Sequence, residues 1–233
     1  MFSHLIWLRE ADSTQEVLRK AEFPPGTVVV ADRQKKGKGR KGRRWESQEG
    51  GLYFSFVLSE EDFSDTLQLP LVVGLGVSEA LDREGVRTVL KWPNDVYAKG
   101  RKIAGVLAER TGARVIVGVG LNVNQRTFEG EVAHTAISLY QLTGKERDRV
   151  DLLCRLLEVL GQGLERFREE GFAPFRRRIE EKLIFKGEEV VILSEKPEAG
   201  ILKGIDEKGF LLLQTAEGER KITSGDVSLR LSR

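Results

Sequence analysis

The 233-residue chain holds one cysteine, one methionine and two histidines. A lone cysteine, Cys154, excludes an internal disulfide framework and any cysteine metal cluster. Neither histidine, His4 or His134, falls in a motif, so no histidine general base is indicated. The longest apolar run, Leu69 to Val77, is nine residues and contains a proline and two glycines, too short to span a bilayer. The opening MFSHLIWLREAD has too brief an apolar segment, with acids close behind, to be a secretory signal. Together these absences predict a cytoplasmic protein. Charge of one sign is lacking too: 38 basic against 36 acidic residues leave a net charge of +2. A protein living on nucleic-acid backbone carries a broader basic excess.

What is present is concentrated. Residues 35 to 44 carry seven cations, three glycines and no acid, and residues 36 to 45 read KGKGRKGRRW. Residues 37 to 42 spell G-x-G-x-x-G, but a dinucleotide fingerprint must open a helix and this segment heads into a strand pattern, GLYFSFVLS. The Walker pattern fails as well, because Arg43 and Arg44 stand where Lys and Ser or Thr are required. Three readings remain: a solvated basic loop, a nucleic-acid arm, or a lid that is mobile alone and orders over an anionic ligand.

Periodicity organises the rest. DSTQEVLRKAE begins a helix with Ser13 and Glu16 spaced as a capping box. GTVVVADRQ and GLYFSFVLS read as buried strands. LQLPLVVGLGVSEALDREG reads as a helix with Pro70 in its first turn and Gly85 past its end. VRTVLKW, KIAGVLAER and RVIVGVGLNV are strand candidates; Pro93-Asn94-Asp95 turns after the first, and Thr111-Gly112-Ala113 links the other two. Val150, Leu153, Leu157, Leu160, Leu164 and Phe167 form an amphipathic stripe, beside which Cys154 reads as core filler. APFRRRIEEKL is a further helix. From Lys186 the texture changes to EEVVIL, GILKGID, GFLLLQT, ERKIT and VSLRL, separated by turns such as Glu207-Lys208-Gly209 and Ser224-Gly225-Asp226. Five short strands suggest a small antiparallel barrel.

The tract KWPNDVYAKGRKIAGVLAE, Lys91 to Glu109, carries chemistry. Asn94 and Asp95 offer an amide and a carboxylate suited to Mg²⁺ or phosphate-bound water, although a plain Pro-Asn-Asp turn uses the same residues. Lys102 precedes the small pair Ala104-Gly105, where a ligand could approach the backbone. With the loop GKGRKGRRW, the opening Ser13-Thr14-Gln15, the intact K-W-P-N-D and the strand RKIAG, the chain resembles the biotin protein ligase family from Ser13 to its end. One departure is Lys38, where the family's loop has an arginine.

That resemblance implies an α/β catalytic domain, an α+β mixed sheet related to class II aminoacyl-tRNA synthetases, over residues 1–184, and an SH3-like β-barrel over 185–233. Because the Ser-Thr motif begins at residue 13, it implies the ligase-only type without an N-terminal DNA-binding domain. The implied activity joins biotin to ATP as biotinyl-5'-AMP, then passes it to a lysine of a biotin carboxyl carrier domain of acetyl-CoA carboxylase. A carboxylate is already a nucleophile at pH 7, so this chemistry needs charge stabilisation rather than a base.

By resemblance, Ser13, Thr14, Gln15 and Gln34 hold the biotin head, with Gly105 and Gly118 beside it. Lys38, Gly39 and Arg40 close over carboxylate and phosphate, opposite Lys102; Arg40 and Lys102 are the catalytic pair. Arg43, Trp45, Asn94, Asp95 and Asn122 serve ATP, and Asp95 anchors Mg²⁺. Gly118 and Gly120 allow close ligand approach, and Phe128 is the one candidate to stack on adenine. The segment QRTFEGEVAHTA is a second loop expected to move. A homodimer fits the family, and neither DNA nor membrane is an expected partner. The alternatives are a lipoate–protein ligase, which needs an apolar rather than a polar head pocket, and a nucleic-acid module using residues 35 to 45.

Overall fold

The structure is a computed structural model describing residues 1–63, 65, 67–193, 197–223 and 228–231, the last four by backbone alone. Its first sheet comprises β1 (His4–Ala11), β2 (Thr27–Gln34), β3 (Leu52–Ser59), β4 (Val89–Lys91), β5 (Asp95–Ala98), β6 (Arg101–Thr111) and β7 (Arg114–Leu121). They lie in the order β1-β2-β3-β7-β6-β5-β4, with β1 and β2 parallel and the other neighbours antiparallel. The sheet is covered on both sides, which is why β2 reads as a continuous apolar run. Val28 and Val30 enter the main core, while Val29 joins Leu18, Val57 and Ile116 beneath the helix α1 (Thr14–Lys20). On the other face lie α2 (Gln68–Arg83) and α4 (Arg149–Glu170).

Several sequence expectations are corrected here. Ser13 occupies the N-cap of α1, but its side chain makes no capping bond and Glu16 pairs with Arg19 and Lys38 instead. A working capping box lies elsewhere, where Ser138 and Gln141 open the short helix α3 (Leu139–Thr143). VRTVLKW contributes only the three residues of β4, and β1 and β5 went unpredicted. The buried face of α4 holds Leu152, Leu153, Leu156, Val159, Leu160, Leu164 and Phe167, whereas Val150 is 54% exposed and Leu157 only flanks the core. Cys154 is exposed, not core filler, because α4 presents the neighbouring leucines to α2.

The register between β5 and β6 slips once. Val96 faces Ala104 and Tyr97 faces Lys102, so Ile103 is an extra residue on β6. Ile103 is buried in the main core along with Ala104 and Val106. Such a bulge re-aims the neighbouring side chain. Lys102 is thereby turned to the face that also carries Gly105, the face of α1.

After α5 (Ala173–Lys182) comes a second sheet: β8 (Glu189–Leu193), β9 (Glu198–Ile205), β10 (Leu211–Thr215), β11 (Gly218–Ile222) and β12 (Ser228–Leu231). Its order is β11-β10-β9-β8-β12, all antiparallel, and among the described residues no β11–β12 pairing closes it into a barrel. The turn expected at Ser224-Gly225-Asp226 lies outside the described residues. Val190, Leu202 and Leu211 share one apolar cluster with the first sheet.

In the β9–β10 turn the buried Asp206 accepts hydrogen bonds from the N–H groups of Lys208 and Phe210, both 2.9 Å, and pairs with Lys221 at 2.9 Å. Burial works against its charge, but Lys221 and the two N–H donors outweigh it and hold the carboxyl below its usual range. A depressed folded value means stability that is full above the unfolded value of about 3.9 and lost as pH falls through the folded one. Wild type should therefore exceed Asp206→Asn in urea midpoint at pH 7, with the gap shrinking below about pH 4; a pH-independent gap would refute this.

Candidate active site

One cleft opens on the α1 face of the first sheet, and every site residue expected from the sequence lines it. Its floor is built from strands. Gly118 and Gly120 project from β7, Gly105 from β6, and Ser55 from β3. At one end stands the N-terminus of α1. The Thr14 N–H donates to Gln34 Oε1 at 2.8 Å, so Gln34 satisfies the first free N–H of the helix. The Thr14 hydroxyl also donates to Gln34 Oε1 (3.2 Å) and meets the Ser55 hydroxyl at 2.7 Å. Gln34 Nε2 donates to Ser47 Oγ at 2.8 Å. Gln15 Nε2 donates to the carbonyls of Leu107 (3.2 Å) and Ile116 (3.5 Å). This end is a buried network of neutral hydroxyls and amides, suited to a neutral polar head.

The other end is charged. The loop from Lys36 to Trp45 folds back on itself: Gly39 N–H donates to Arg43 O at 2.7 Å and Trp45 N–H to Gly37 O at 2.9 Å. At its tip Arg40 Nη1 donates to Asn94 Oδ1 at 3.2 Å, crossing from the loop to the β4–β5 turn. Arg43 Nε donates to the Arg40 carbonyl at 3.4 Å. Lys38 pairs with Glu16, and that hydrogen bond holds the Glu16 carboxyl below its ordinary range, although burial opposes it.

Asn94 is fixed by Val106 on both sides: Nδ2 donates to its carbonyl (3.0 Å) and its N–H donates to the Asn94 carbonyl (2.9 Å). Asp95 Oδ1 lies 2.7 Å from Lys102 Nζ, yet outside hydrogen-bonding alignment, so this buried oxygen has an ion-pair partner and no hydrogen bond. Lys102 already supplies its countercharge, so a metal ion at Asp95 would share this oxygen with the lysine or take its place. Among the described residues no cluster of three or more His, Cys, Asp or Glu could hold a metal by itself.

Trp45 lies flat between these groups. Its ring centroid is 5.0 Å from Lys102 Nζ, and its indole nitrogen is buried without a hydrogen-bond partner. The glycines expected to admit a ligand admit protein atoms instead. A Cβ on Gly120 would sit 2.4 Å from Trp45 Cε2, and one on Gly118 would sit 3.0 Å from Gln15 Cδ. Asn122 is buried, donating to the carbonyls of Ile137 (3.1 Å) and Lys102 (3.4 Å), and so braces the segment that pairs with Lys102. Phe128 reaches the cleft edge. The sequence reading missed Ser55, whose only signal was a hydroxyl inside the apolar run YFSFV, and Thr135 and Ala136, which nothing local marks.

Comparison with known proteins agrees with this geometry. Residues 7–125 match the biotin/lipoate A/B protein ligase family, and residues 185–230 match the biotin protein ligase C terminal domain. The chain belongs to the biotin/lipoate A/B protein ligase family. It is 35% identical over 243 residues to the bifunctional ligase/repressor BirA of Bacillus spizizenii, covering 98% of this chain and 75% of that one. It is 31% identical over 235 residues to the biotin--[acetyl-CoA-carboxylase] ligase of Paracoccus denitrificans, covering 94% and 98%. A solved biotin protein ligase from Aquifex aeolicus, in complex with biotin and ATP, superposes with a TM-score of 0.95 at 50% identity, covering 99% and 100%. No helix among the described residues of this ligase-family chain is long and apolar enough to cross a membrane.

Proposed function

We infer that the protein is an ATP-dependent biotin protein ligase. The biotin carboxylate attacks the α-phosphorus of ATP, forming biotinyl-5'-AMP and releasing pyrophosphate. A lysine amine of the carrier domain of acetyl-CoA carboxylase then attacks the acyl carbon, and AMP leaves. The supporting observation is that the family's motifs, spread over ninety residues of chain from Ser13 to Gly105, line a single cleft that is neutral at one end and cationic at the other.

In this reading Ser13, Thr14, Gln15, Gln34 and Ser55 match the ureido head of biotin, and the floor glycines let Trp45 and Gln15 pack close to the sheet beside it. Lys102, re-aimed by the bulge, meets the carboxylate and then the acyl phosphate. Arg40 faces the same phosphate from the loop, and Lys38, Gly39 and Arg43 add donors around it. Asn94 and Asp95 carry the ATP half with Trp45 and Asn122, and Phe128 offers a ring for adenine. Asp95, with an oxygen lacking a hydrogen bond, would hold Mg²⁺, which binds through one or two carboxylates plus substrate phosphates and supplies countercharge to them. Residues 1–184 act as the catalytic domain, of the class II synthetase-like kind, and 185–233 as an SH3-like barrel domain.

ATP–pyrophosphate exchange tests the reading: biotin should drive it and lipoate should not, and the reverse pattern would make the protein a lipoate ligase. A second expectation concerns the loop. Trypsin should cut residues 35 to 45 readily in the free protein, because the segment is basic and carries three glycines. Biotin with ATP should protect it. Equal cleavage with and without ligands would remove the lid role.

A further inference from the structure

Asn94 and Asp95 are pinned to β6 in front, and something must fix the turn that carries them from behind. The residue before that turn is Trp92, 2% exposed, and its indole N–H donates to the Gly209 carbonyl at 2.9 Å. Gly209 belongs to the β9–β10 turn of the second sheet, 117 residues away in sequence. Its φ of +80° lies in the left-handed region that favours glycine, and a Cβ there would press on the Leu71 Cδ1 methyl at 2.9 Å. The carbonyl is aimed by Asp206: Gly209 N–H donates to the Asp206 carbonyl at 3.0 Å, and the Asp206 carboxylate gathers the N–H groups of Lys208 and Phe210. A continuous set of buried bonds thus runs from Asp206 to the indole and ends one proline short of two cleft residues.

We propose that Asp206, Gly209 and Trp92 are positioning residues for the ATP half of the reaction, so that the second sheet acts on the first step of catalysis. None of the three lines the cleft. Trp92 could have filled its core position as Phe; the N–H adds a fixed distance between the two sheets. This inference rests on the ligase reading, and on the assignment of Asn94 and Asp95 to ATP.

The test uses the full chain with Trp92→Phe, which keeps the ring and removes the donor, and Asp206→Ala, which releases the turn. Pyrophosphate exchange is measured against ATP and against biotin, with the folded fraction taken from circular dichroism. Each variant should lose about 10- to 100-fold in kcat/KM for ATP, the scale of a displacement of about 1 Å at a reacting group. Biotin affinity, measured directly by calorimetry, should stay within about twofold of wild type. The double variant should lose no more than the worse single one, because both act through one bond. Wild-type ATP dependence in both variants, or parallel losses for ATP and biotin, would overturn the inference and leave the ligase reading intact. Absence of biotin-driven exchange in the wild-type protein would instead overturn the ligase reading, and the inference with it.

Discussion

Lys102→Ala should slow adenylate formation by about 10²–10³, the usual effect of removing one preorganised charge contact from a transition state. The side chain has no competing structural task of that size. It is 28% exposed, its partner Asp95 is 20% exposed, and the pair lacks hydrogen-bond alignment. Because Asp95 Oδ1 is itself buried, losing Lys102 also costs some stability, on the order of 1–3 kcal/mol for a buried acceptor left without its partner. The rate should nevertheless fall by more than lost folding explains: single-turnover formation of biotinyl-5'-AMP falls steeply in protein that circular dichroism shows to be folded. Near-normal adenylation in Lys102→Ala would show that the bulge aims this lysine for another purpose. A matching loss of stability and rate would make it a folding residue.

Gly120→Ala should be nearly as damaging, for a steric reason. The new methyl would stand 2.4 Å from Trp45 Cε2 and 2.5 Å from Nε1, closer than a Cβ can approach a ring. A strand tolerates alanine, and β7 is held on both sides by β3 and β6, so the indole rather than the backbone must give way. Trp45 then leaves its place beside Lys102, and about 10²-fold in rate is at stake if the reacting groups shift by about 1 Å. Tryptophan fluorescence should report a more exposed indole. In a Trp45→Ala background the same glycine substitution should add almost nothing. A Gly120→Ala protein with wild-type rate and emission would mean that the cleft floor is softer than the contact distances imply.

Two of the loop's cations have protein partners in the structure. Lys38 spends its charge on Glu16, and Arg40 reaches Asn94, so both are engaged by protein groups in the absence of a ligand.

Most of the parts were legible from residues alone. Alternating and continuous apolar runs located β2, β3, β6, β7, β8, β9 and β10, because their burial leaves a local mark, while turn signals bounded β11 and β12. The basic loop, K-W-P-N-D and R-K-I-A-G named the cleft residues, since each motif joins neighbours in the chain. Edge strand β1 and the four-residue β5 left no such mark, being part-exposed or too short for a period. How the parts face one another depends on packing between distant segments. The rotation of α4 that exposes Val150 and Cys154 follows from where α2 lies. The bulge at Ile103 sends Lys102 to the cleft because β5 pairs with β6 on both sides of the slip. Gly120 is required by Trp45, and Trp92 is tied to Gly209, across long stretches of chain. Periodicity reports whether a residue is buried; its partner is fixed by register and packing between segments distant in sequence, which no local pattern encodes.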